Sequence, residues 1–118
     1  MKEIKDVAID IAGMIDEHSG LNVSVLDISK LSPMADYFVI ATGKNNRHVN
    51  ALAAHVEDEM GKYDFDIRHK EGHRQGKWIL LDYSDIVIHI FTEEERYFYN
   101  LERIWADANK LDLHIDTF

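Results

Sequence analysis

Two apolar runs in the second half of the chain, Lys77–Asp82 and Asp85–Phe91, constrain the fold more than any other feature of the sequence. Only Tyr83 and Ser84 separate the runs, so they predict the two strands of a β-hairpin. Successive side chains of a strand point to opposite faces, and the second strand therefore places three isoleucines together, Ile86, Ile88 and Ile90. A face made of isoleucine alone must be buried. The hairpin is expected to belong to a sheet that packs against another layer.

The opposite face of the same hairpin has a different composition. It mixes aromatic, aliphatic and polar side chains, namely Trp78, Leu80, Asp82, Val87, His89 and Phe91. If no helix fully covers it, such a face resembles the aromatic-rich centre of a protein interface. The alternative is that Trp78 and Phe91 pack under a helix and that His89 is a core histidine with satisfied hydrogen bonds. Most residues of these types are structural, so the pattern alone favours the alternative.

The first half of the chain predicts a helix followed by two strands. Residues 2–18 carry apolar side chains at three- and four-residue steps, which is typical of an amphipathic helix: Ile4, Val7, Ile11, Met14 and Ile15. Asn22–Ile28 alternates in the manner of a strand, and Lys30–Ala35 forms a turn region around Pro33. Asp36–Thr42 is an unbroken β-branched and aromatic run, the pattern of a strand buried on both faces.

A second helix is predicted to begin at Asn45 or Asn46, either of which can cap it, and to end at Gly61. Its apolar stripe consists of Val49, Leu52, Ala53, Val56 and Met60. Phe65–Lys70 predicts a short, weaker strand. Glu71–Gly76 predicts a polar turn that leads into the hairpin.

After the hairpin, Thr92 and Glu95 have the spacing of a capping box that opens a last helix. This helix would carry an apolar series, Phe98, Leu101, Ile104, Trp105 and Ala108. The resulting order α-β-β-α-β-β-β-α predicts an α+β fold with α/β-type layers, a mixed sheet of about five strands flanked by helices. Neither a repeat nor a linker divides the chain, so residues 1–118 are expected to form one domain.

The charge of the chain bears on its partners. Asp and Glu number 22 against 13 Lys and Arg, which gives a formal net charge of −9. Proteins that bind nucleic acid gain much of their affinity from cations that neutralise phosphates. We therefore expect little direct nucleic-acid binding, and a basic protein as the partner in any nucleic-acid assembly. Neither a signal-peptide pattern nor a membrane-length apolar run occurs, so no membrane contact and a cytoplasmic location are expected.

The candidate catalytic and metal-binding residues have ordinary explanations. Cysteine is absent, which excludes disulfides and thiolate metal sites. Acidic residues on or beside strands could hold Mg²⁺, namely Asp27, Asp36, Asp82 and Asp85, but their spacing does not suit a two-metal site. Gly43–Lys44 precedes a helix, as an anion site would, yet lacks the glycines of a P-loop. His69 and His73 have the four-residue spacing of a helical zinc pair, but a predicted turn around Gly72 separates them and no third ligand is evident. They, like His48 and His55, are interpreted as surface histidines. No cofactor, metal or catalytic residue is expected.

Several sequence blocks, taken in order, resemble the ribosomal silencing factor family, also called the Iojap-like family. The blocks are Asp36–Gly43, Arg47–Val49, Glu71–Gly72, Trp78–Tyr83, Asp85–Phe91, and Arg96–Glu102 with Trp105. The resemblance covers about residues 8–108 and leaves residues 110–118 as a C-terminal extension. It implies a nucleotidyltransferase-like fold without the catalytic motif, and therefore a protein that is not an enzyme.

The resemblance also implies a function and a surface. Members bind ribosomal protein L-fourteen on the large ribosomal subunit and block joining of the small subunit, which represses translation when nutrients are scarce. Organellar relatives are linked to biogenesis of the large subunit. Carried onto this chain, the partner-binding residues would be Trp78, Leu80, Asp82, Tyr83, Asp85, Val87, His89 and Phe91.

Within that surface, the resemblance makes Trp78, Leu80 and Phe91 a desolvated apolar centre, with acidic side chains nearby to meet basic groups of the partner. His89 would add a hydrogen bond and a pH effect near neutrality. Two alternatives stay open: a metal-dependent nucleotidyl- or phosphotransferase on the same fold, and a homodimeric scaffold that uses the Trp78 face. As a silencing factor, the free protein is expected to be a monomer or a weak homodimer.

Overall fold

The computed structural model of the chain describes residues 3–72 and 76–113. Helices and strands alternate much as the sequence predicts. In chain order the elements are α1 (Ile4–Glu17), β1 (Leu21–Asp27), β2 (Tyr37–Gly43), α2 (Asn46–Lys62), β3 (His69–Glu71), β4 (Trp78–Asp82), β5 (Ile86–Thr92), α3 (Glu93–Tyr99), α4 (Leu101–Ile104) and β6 (Asn109–Lys110). The α+β class and the mixed sheet are confirmed.

The sheet contains six described strands in the order β3-β4-β5-β2-β1-β6. Strands β2 and β5 pair in parallel, and the other neighbours pair antiparallel. In the hairpin, Trp78 lies opposite Phe91 and Leu80 lies opposite His89, which confirms that these residues share one face. Ser84 closes the hairpin with a φ of 76°. This left-handed conformation is the one that tight hairpin turns require.

Helices α1 and α2 cover one face of the sheet and form the main core with it. The isoleucines of β5 lie under these helices with no exposed surface, as do Ile79 and Leu81 of β4. Strand β2 confirms the prediction of a doubly buried strand along Val39–Gly43, whereas Tyr37 and Phe38 are only partly buried. The core therefore forms where the period-two pattern places it.

Helix α2 begins as predicted and ends one residue later than Gly61, at Lys62. The Asn45 side chain accepts a hydrogen bond from the backbone N–H of His48 at 2.8 Å, which caps the helix. At the other end the left-handed residue is Asp64, with a φ of 63°, rather than the glycine. The Phe65 N–H then bonds back to the Met60 carbonyl. The predicted end at Gly61 is wrong because Gly61 stays helical.

The strand predicted over Phe65–Lys70 forms only at its far end, as the three residues of β3. The turn that follows contains Gly72 with a φ of 88° and Gly76 with a φ of 65°, consistent with the turn predicted over Glu71–Gly76. A Cβ at Gly72 would collide with the Trp78 carbonyl, so this position requires glycine. His73 lies outside the described residues.

The single last helix of the prediction is wrong in three respects. Asn100, with a φ of 45°, divides it into α3 and α4. Thr92 stands at the N-cap, but its side chain makes no capping hydrogen bond, so the capping box with Glu95 does not form. The predicted apolar stripe also fails in part, because Phe98 and Ile104 are 76% and 68% exposed.

The remaining members of that stripe, Leu101, Trp105 and Ala108, do pack against the second face of the sheet. The chain then forms β6, a sixth strand that the sequence did not predict, which pairs with β1. Two polar residues have no recognisable strand pattern, so only the neighbouring strand reveals β6. None of the described helices is long and apolar enough to cross a bilayer.

Candidate protein-docking surface

The second face of the sheet, here called the open face, is only partly covered. It carries alternate residues of four strands, Phe38 and Ile40 of β2, Leu26 of β1, Val87, His89 and Phe91 of β5, and Trp78, Leu80 and Asp82 of β4. Helix α4 and the chain after it cover the β1–β2 part of this face. The β4 residues and Val87 remain partly exposed, which leaves a mixed aromatic, aliphatic and acidic surface.

Five of the eight predicted partner-binding residues reach the surface. Asp85 is exposed, and Trp78, Leu80, Asp82 and Val87 are partly exposed. The other three are buried: Phe91 completely, and Tyr83 and His89 with 4% exposure each. The expectation that Phe91 belongs to an exposed apolar centre is therefore wrong for this structure, and Tyr83 and His89 also offer no surface to a partner. Whether the five exposed residues bind a partner stays a prediction.

Each of the three buried residues has a physical reason for its burial. Tyr83 turns to the helix-covered side and joins the main core, where burial raises the pKa of its hydroxyl to about 12. Phe91 lies under Trp78, with ring centroids 4.8 Å apart. His89 lies between Trp78 and Phe38, whose ring meets it edge-on at 4.7 Å. The alternative, in which Trp78 and Phe91 pack under a helix and His89 is a satisfied core histidine, is met only in part. Phe91 and His89 are buried, but Trp78 stays partly exposed and His89 Nε2 lacks a hydrogen-bond partner among the described residues.

Trp78 is the best-anchored residue of the exposed set. Its indole Nε1–H donates to His89 Nδ1 at 3.2 Å. One side of the indole stacks on Phe91, and Tyr99 from the end of α3 approaches to 4.6 Å. These contacts fix the orientation of a large side chain that is still partly exposed. A fixed aromatic side chain loses little conformational entropy when a partner binds to it.

His89 is neutral in this arrangement. Because Nδ1 accepts the hydrogen bond from Trp78, the ring proton resides on Nε2. Among the described residues, the buried Nε2 finds no hydrogen-bond partner, so His89 is only half satisfied. Burial lowers the pKa of His89 to about 4, and nearby Asp82 opposes this shift. The predicted pH effect near neutrality is wrong, since the residue does not titrate there.

Acidic and polar side chains border the open face at the hairpin end. Asp82 Oδ1 accepts a hydrogen bond from the Ser84 N–H at 2.8 Å. Asp82 also lines a shallow cleft of about 430 Å³ together with Pro33, Met34, Arg68, His69 and Ser84. Met34 is 85% exposed at this rim. Apart from Pro33 and Met34 this border is polar, whereas the centre of the face is apolar, which is the distribution found in protein interfaces.

The candidate metal-binding acids serve the backbone and the turns. Asp27 Oδ1 accepts hydrogen bonds from both the N–H and the hydroxyl of Ser29, and these bonds lower the pKa of its carboxyl. The Asp36 backbone bonds to Ile28 and Asp85 across the strand ends. Within residues 3–72 and 76–113, no three His, Asp or Glu side chains are grouped so that they could hold a metal ion.

The candidate histidines and the Gly43–Lys44 turn also have local roles. His69 pairs with Glu71 at 2.8 Å. His48 Nδ1 accepts from the Lys44 N–H at 2.9 Å, and His55 stacks on His18 with centroids 3.8 Å apart. Gly43 packs directly against Val49 of α2, where a Cβ would not fit. This turn is therefore explained by helix packing.

The sequence interpretation missed two residues that shape the surface, Arg96 and Tyr99. Arg96 donates from Nε to Glu102 at 3.1 Å and from one terminal nitrogen to both the Asn22 carbonyl and Thr42 Oγ1. It thereby ties α3 and α4 to the first two strands. Tyr99 contacts both Trp78 and Phe91. A signal existed, because both residues lie in the block Arg96–Glu102 that resembles the family, but no role was assigned to them.

Comparison with known proteins agrees with the fold and the resemblance. A family model described as "Ribosomal silencing factor during starvation" matches residues 1–117. The ribosomal silencing factor RsfS of Bacillus subtilis is 34% identical over 102 residues, which are 86% of each protein. Protein Iojap, chloroplastic, of Zea mays is 30% identical over 115 residues, 98% of this chain and 50% of the plant protein.

Solved structures show the same architecture. The crystal structure of a Chromobacterium violaceum protein superposes with a TM-score of 0.82 at 31% identity, and the match covers 98% of this chain and 95% of that one. A Bacillus halodurans protein gives a TM-score of 0.76 at 28% identity, with 92% and 96% covered. The fold described above is therefore shared over nearly the entire length.

Proposed function

The chain belongs to the ribosomal silencing factor family, non-enzymatic ribosome-binding regulators, and from this premise we propose how it acts. It docks on ribosomal protein L-fourteen of the large subunit through the exposed part of the open face. Bound there, it obstructs joining of the small subunit and represses translation under nutrient limitation. The docking residues are Trp78, Leu80 and Val87 at the centre, with Asp82 and Asp85 at the border.

The single observation that carries this proposal is the anchored, partly exposed indole of Trp78. Interface hot spots are enriched in tryptophan and lie at apolar centres surrounded by polar residues. Here the hydrogen bond to His89 and the stacking on Phe91 hold the indole in one orientation. Phe91 and His89 thus support the surface from below, in place of the direct contacts expected from the sequence.

Charge supports a basic protein as the partner. The chain has a net charge of −9, and the described acids at the hairpin end, Asp82 and Asp85, lie beside the apolar centre. Complementary charge accelerates encounter and fixes the orientation of docking. Ribosomal proteins neutralise RNA and carry the opposite charge. The proposed site of action is the cytoplasmic ribosome, while the Zea mays relative is named as chloroplastic.

Cosedimentation with purified large subunits tests the proposal. Trp78→Ala should weaken binding about fivefold or more, because truncation of a hot spot costs more than about 1 kcal/mol. Asp82→Lys should also weaken binding, and more strongly at low salt. The circular dichroism spectrum of Trp78→Ala should match that of the wild type, which would show that the variant is folded.

Subunit joining supplies the functional readout. Light scattering of mixed large and small subunits should fall when the wild-type protein is added and recover with Trp78→Ala. If both variants sediment and block joining like the wild type, the proposed face is wrong. If the free protein is a stable dimer that Trp78→Ala dissociates while ribosome binding persists, the Trp78 face serves self-association.

A further inference from the structure

Helix α3 carries three consecutive aromatic residues, here called the aromatic triplet, Tyr97, Phe98 and Tyr99. Their side chains are 87%, 76% and 41% exposed. No residue of α3 is buried, so the helix contributes little to the core. Large exposed aromatic side chains without a packing role mark interaction sites more often than they serve stability. Tyr97 and Phe98 therefore mark a candidate contact site for a partner, while Tyr99 packs on Trp78 and Phe91.

Two rings of the triplet, Phe98 and Tyr99, are continuous with the open face. Phe98 meets Tyr99 edge-on, with ring centroids 5.1 Å apart. Tyr99 in turn lies 4.6 Å from Trp78. A row of rings thus runs from Phe98 through Tyr99 to the indole at the centre of the open face. A partner seated on Trp78 would lie beside Tyr99 and Phe98 without any rearrangement of the chain.

The area of the open face also argues for an extended contact. A stable interface buries roughly 800 Å² on each partner. Four of the five docking residues are already partly buried, and a fully buried aromatic side chain contributes only about 150–250 Å². The open face alone therefore offers roughly a few hundred square ångströms. Tyr97 and Phe98 supply much of the missing area.

Charge on α3–α4 is compatible with the same basic partner. Residues 93–104 contain four glutamates and two arginines, and Arg96 is engaged by Glu102. Lys44 and Lys77 lie across a cleft from Glu93, Glu94 and Glu95, and they reduce the negative charge without reversing it. Acidic groups therefore border both the triplet and the hairpin end of the open face.

We propose that the aromatic triplet is the second half of the docking surface and contacts the same basic ribosomal protein as Trp78. This inference rests on the proposed function. We expect this basic partner to present an apolar groove or ledge that contacts the rings. Basic side chains of the partner would surround that groove. The docking surface then spans β4, β5 and α3, and Tyr99 connects the open face with the rest of the aromatic triplet.

Binding of intact large subunits to four full-length proteins tests this inference: wild type, Phe98→Gln, Tyr97→Gln and Trp78→Ala. Phe98→Gln should weaken cosedimentation about fivefold or more, and Tyr97→Gln should weaken it in the same direction. Both side chains are exposed, so the thermal midpoint should not change. The control is Ala54→Gln. Ala54 is exposed on α2, the helix that covers the other face of the sheet, so this variant should bind like the wild type.

The outcomes separate this inference from the proposed function. If Trp78→Ala weakens binding and the triplet variants bind normally, the triplet is not part of the surface and the open face stands. If the triplet variants weaken binding and Trp78→Ala does not, docking avoids the open face and both proposals fail. Analytical ultracentrifugation covers the remaining case. A wild-type dimer that Phe98→Gln dissociates, with ribosome binding unchanged, assigns the triplet to a second copy and overturns the inference.

Discussion

The two faces of the sheet are made by the same strands, yet they differ in composition and in cover. The helix-covered face is aliphatic, and its β4 and β5 residues have no exposed surface. The open face carries a tryptophan, a histidine and two phenylalanines, and α4 with the chain after it covers only part of it. One face supplies hydrophobic stabilisation, and the other holds aromatic side chains in fixed positions near the surface. Along one strand, residues that point to the helix-covered face should therefore affect stability, and their neighbours on the open face should affect binding.

Leu81 and Leu80 provide the most direct test of that separation. Leu81 is fully buried under α2, so Leu81→Ala should lower the free energy of unfolding by about 2–5 kcal/mol. Urea denaturation measures this loss, and ribosome affinity of the folded protein should be unchanged. Leu80 is partly exposed on the open face. Leu80→Ala should cost about 1 kcal/mol or less in stability and should weaken cosedimentation. Equal losses of stability in Leu81→Ala and Leu80→Ala would refute the division of the sheet into a stabilising face and a binding face.

A lower pH should reduce the stability of the protein because buried His89, on the open face, resists protonation in the folded state. The pKa of His89 is about 4 in the folded protein, below the ordinary value near 6.5. The unfolded chain therefore takes up this proton first as the pH falls. The free energy of unfolding therefore has its full value, as far as His89 is concerned, above pH 6.5. It falls between pH 6.5 and 4, and below pH 4 the loss reaches a total of about 3 kcal/mol.

His89→Asn isolates this contribution, because the asparagine oxygen can still accept from Trp78 while the side chain does not titrate. The difference in unfolding free energy between wild type and variant should change across pH 6.5 to 4. Carboxylates such as Asp27 titrate in both proteins and cancel in the difference. Parallel pH profiles would show that His89 is not held neutral.

Arg96 tests whether the partial cover of the open face depends on one side chain. Arg96→Gln removes the bonds to Asn22 and Thr42 and should cost about 1–3 kcal/mol, as loss of charged hydrogen bonds does. The near-ultraviolet signal of the two tryptophans should change because Tyr99 and Trp105 lie on the released segment. Arg103→Gln, an exposed arginine on α4, is the control. An unchanged spectrum in Arg96→Gln would show that ring packing alone holds the segment.

The sequence predicted which residues share a face but not which of them are covered. Alternation along β4 and β5 placed Trp78, His89 and Phe91 together, as the register confirms. Their burial depends on where the chain goes after Tyr99. Arg96, just before this point, bonds to residues 74 and 54 positions earlier in the chain. Patterns of three to four residues contain no information on such distant contacts.

The same limit explains the errors at the C-terminal end. The 3.6-residue period of Phe98, Leu101, Ile104, Trp105 and Ala108 favoured one helix. Asn100 breaks it by adopting a left-handed conformation, which asparagine tolerates better than most residues. The break turns Leu101 and Trp105 toward the sheet and leaves Phe98 exposed. Local propensity does not specify this turn, because the packing of Tyr99 and Trp105 selects it.

The lengths of the outermost strands have a consequence for aggregation. The sheet ends in β3 on one side and β6 on the other, three and two residues long and composed of charged or polar residues. Unpaired backbone groups at a long, flat edge recruit strands from other molecules, and short charged edges resist this recruitment. An acidic chain with such edges can expose aromatic rings on a face and on a helix while strand addition, the first step toward fibrils, stays disfavoured.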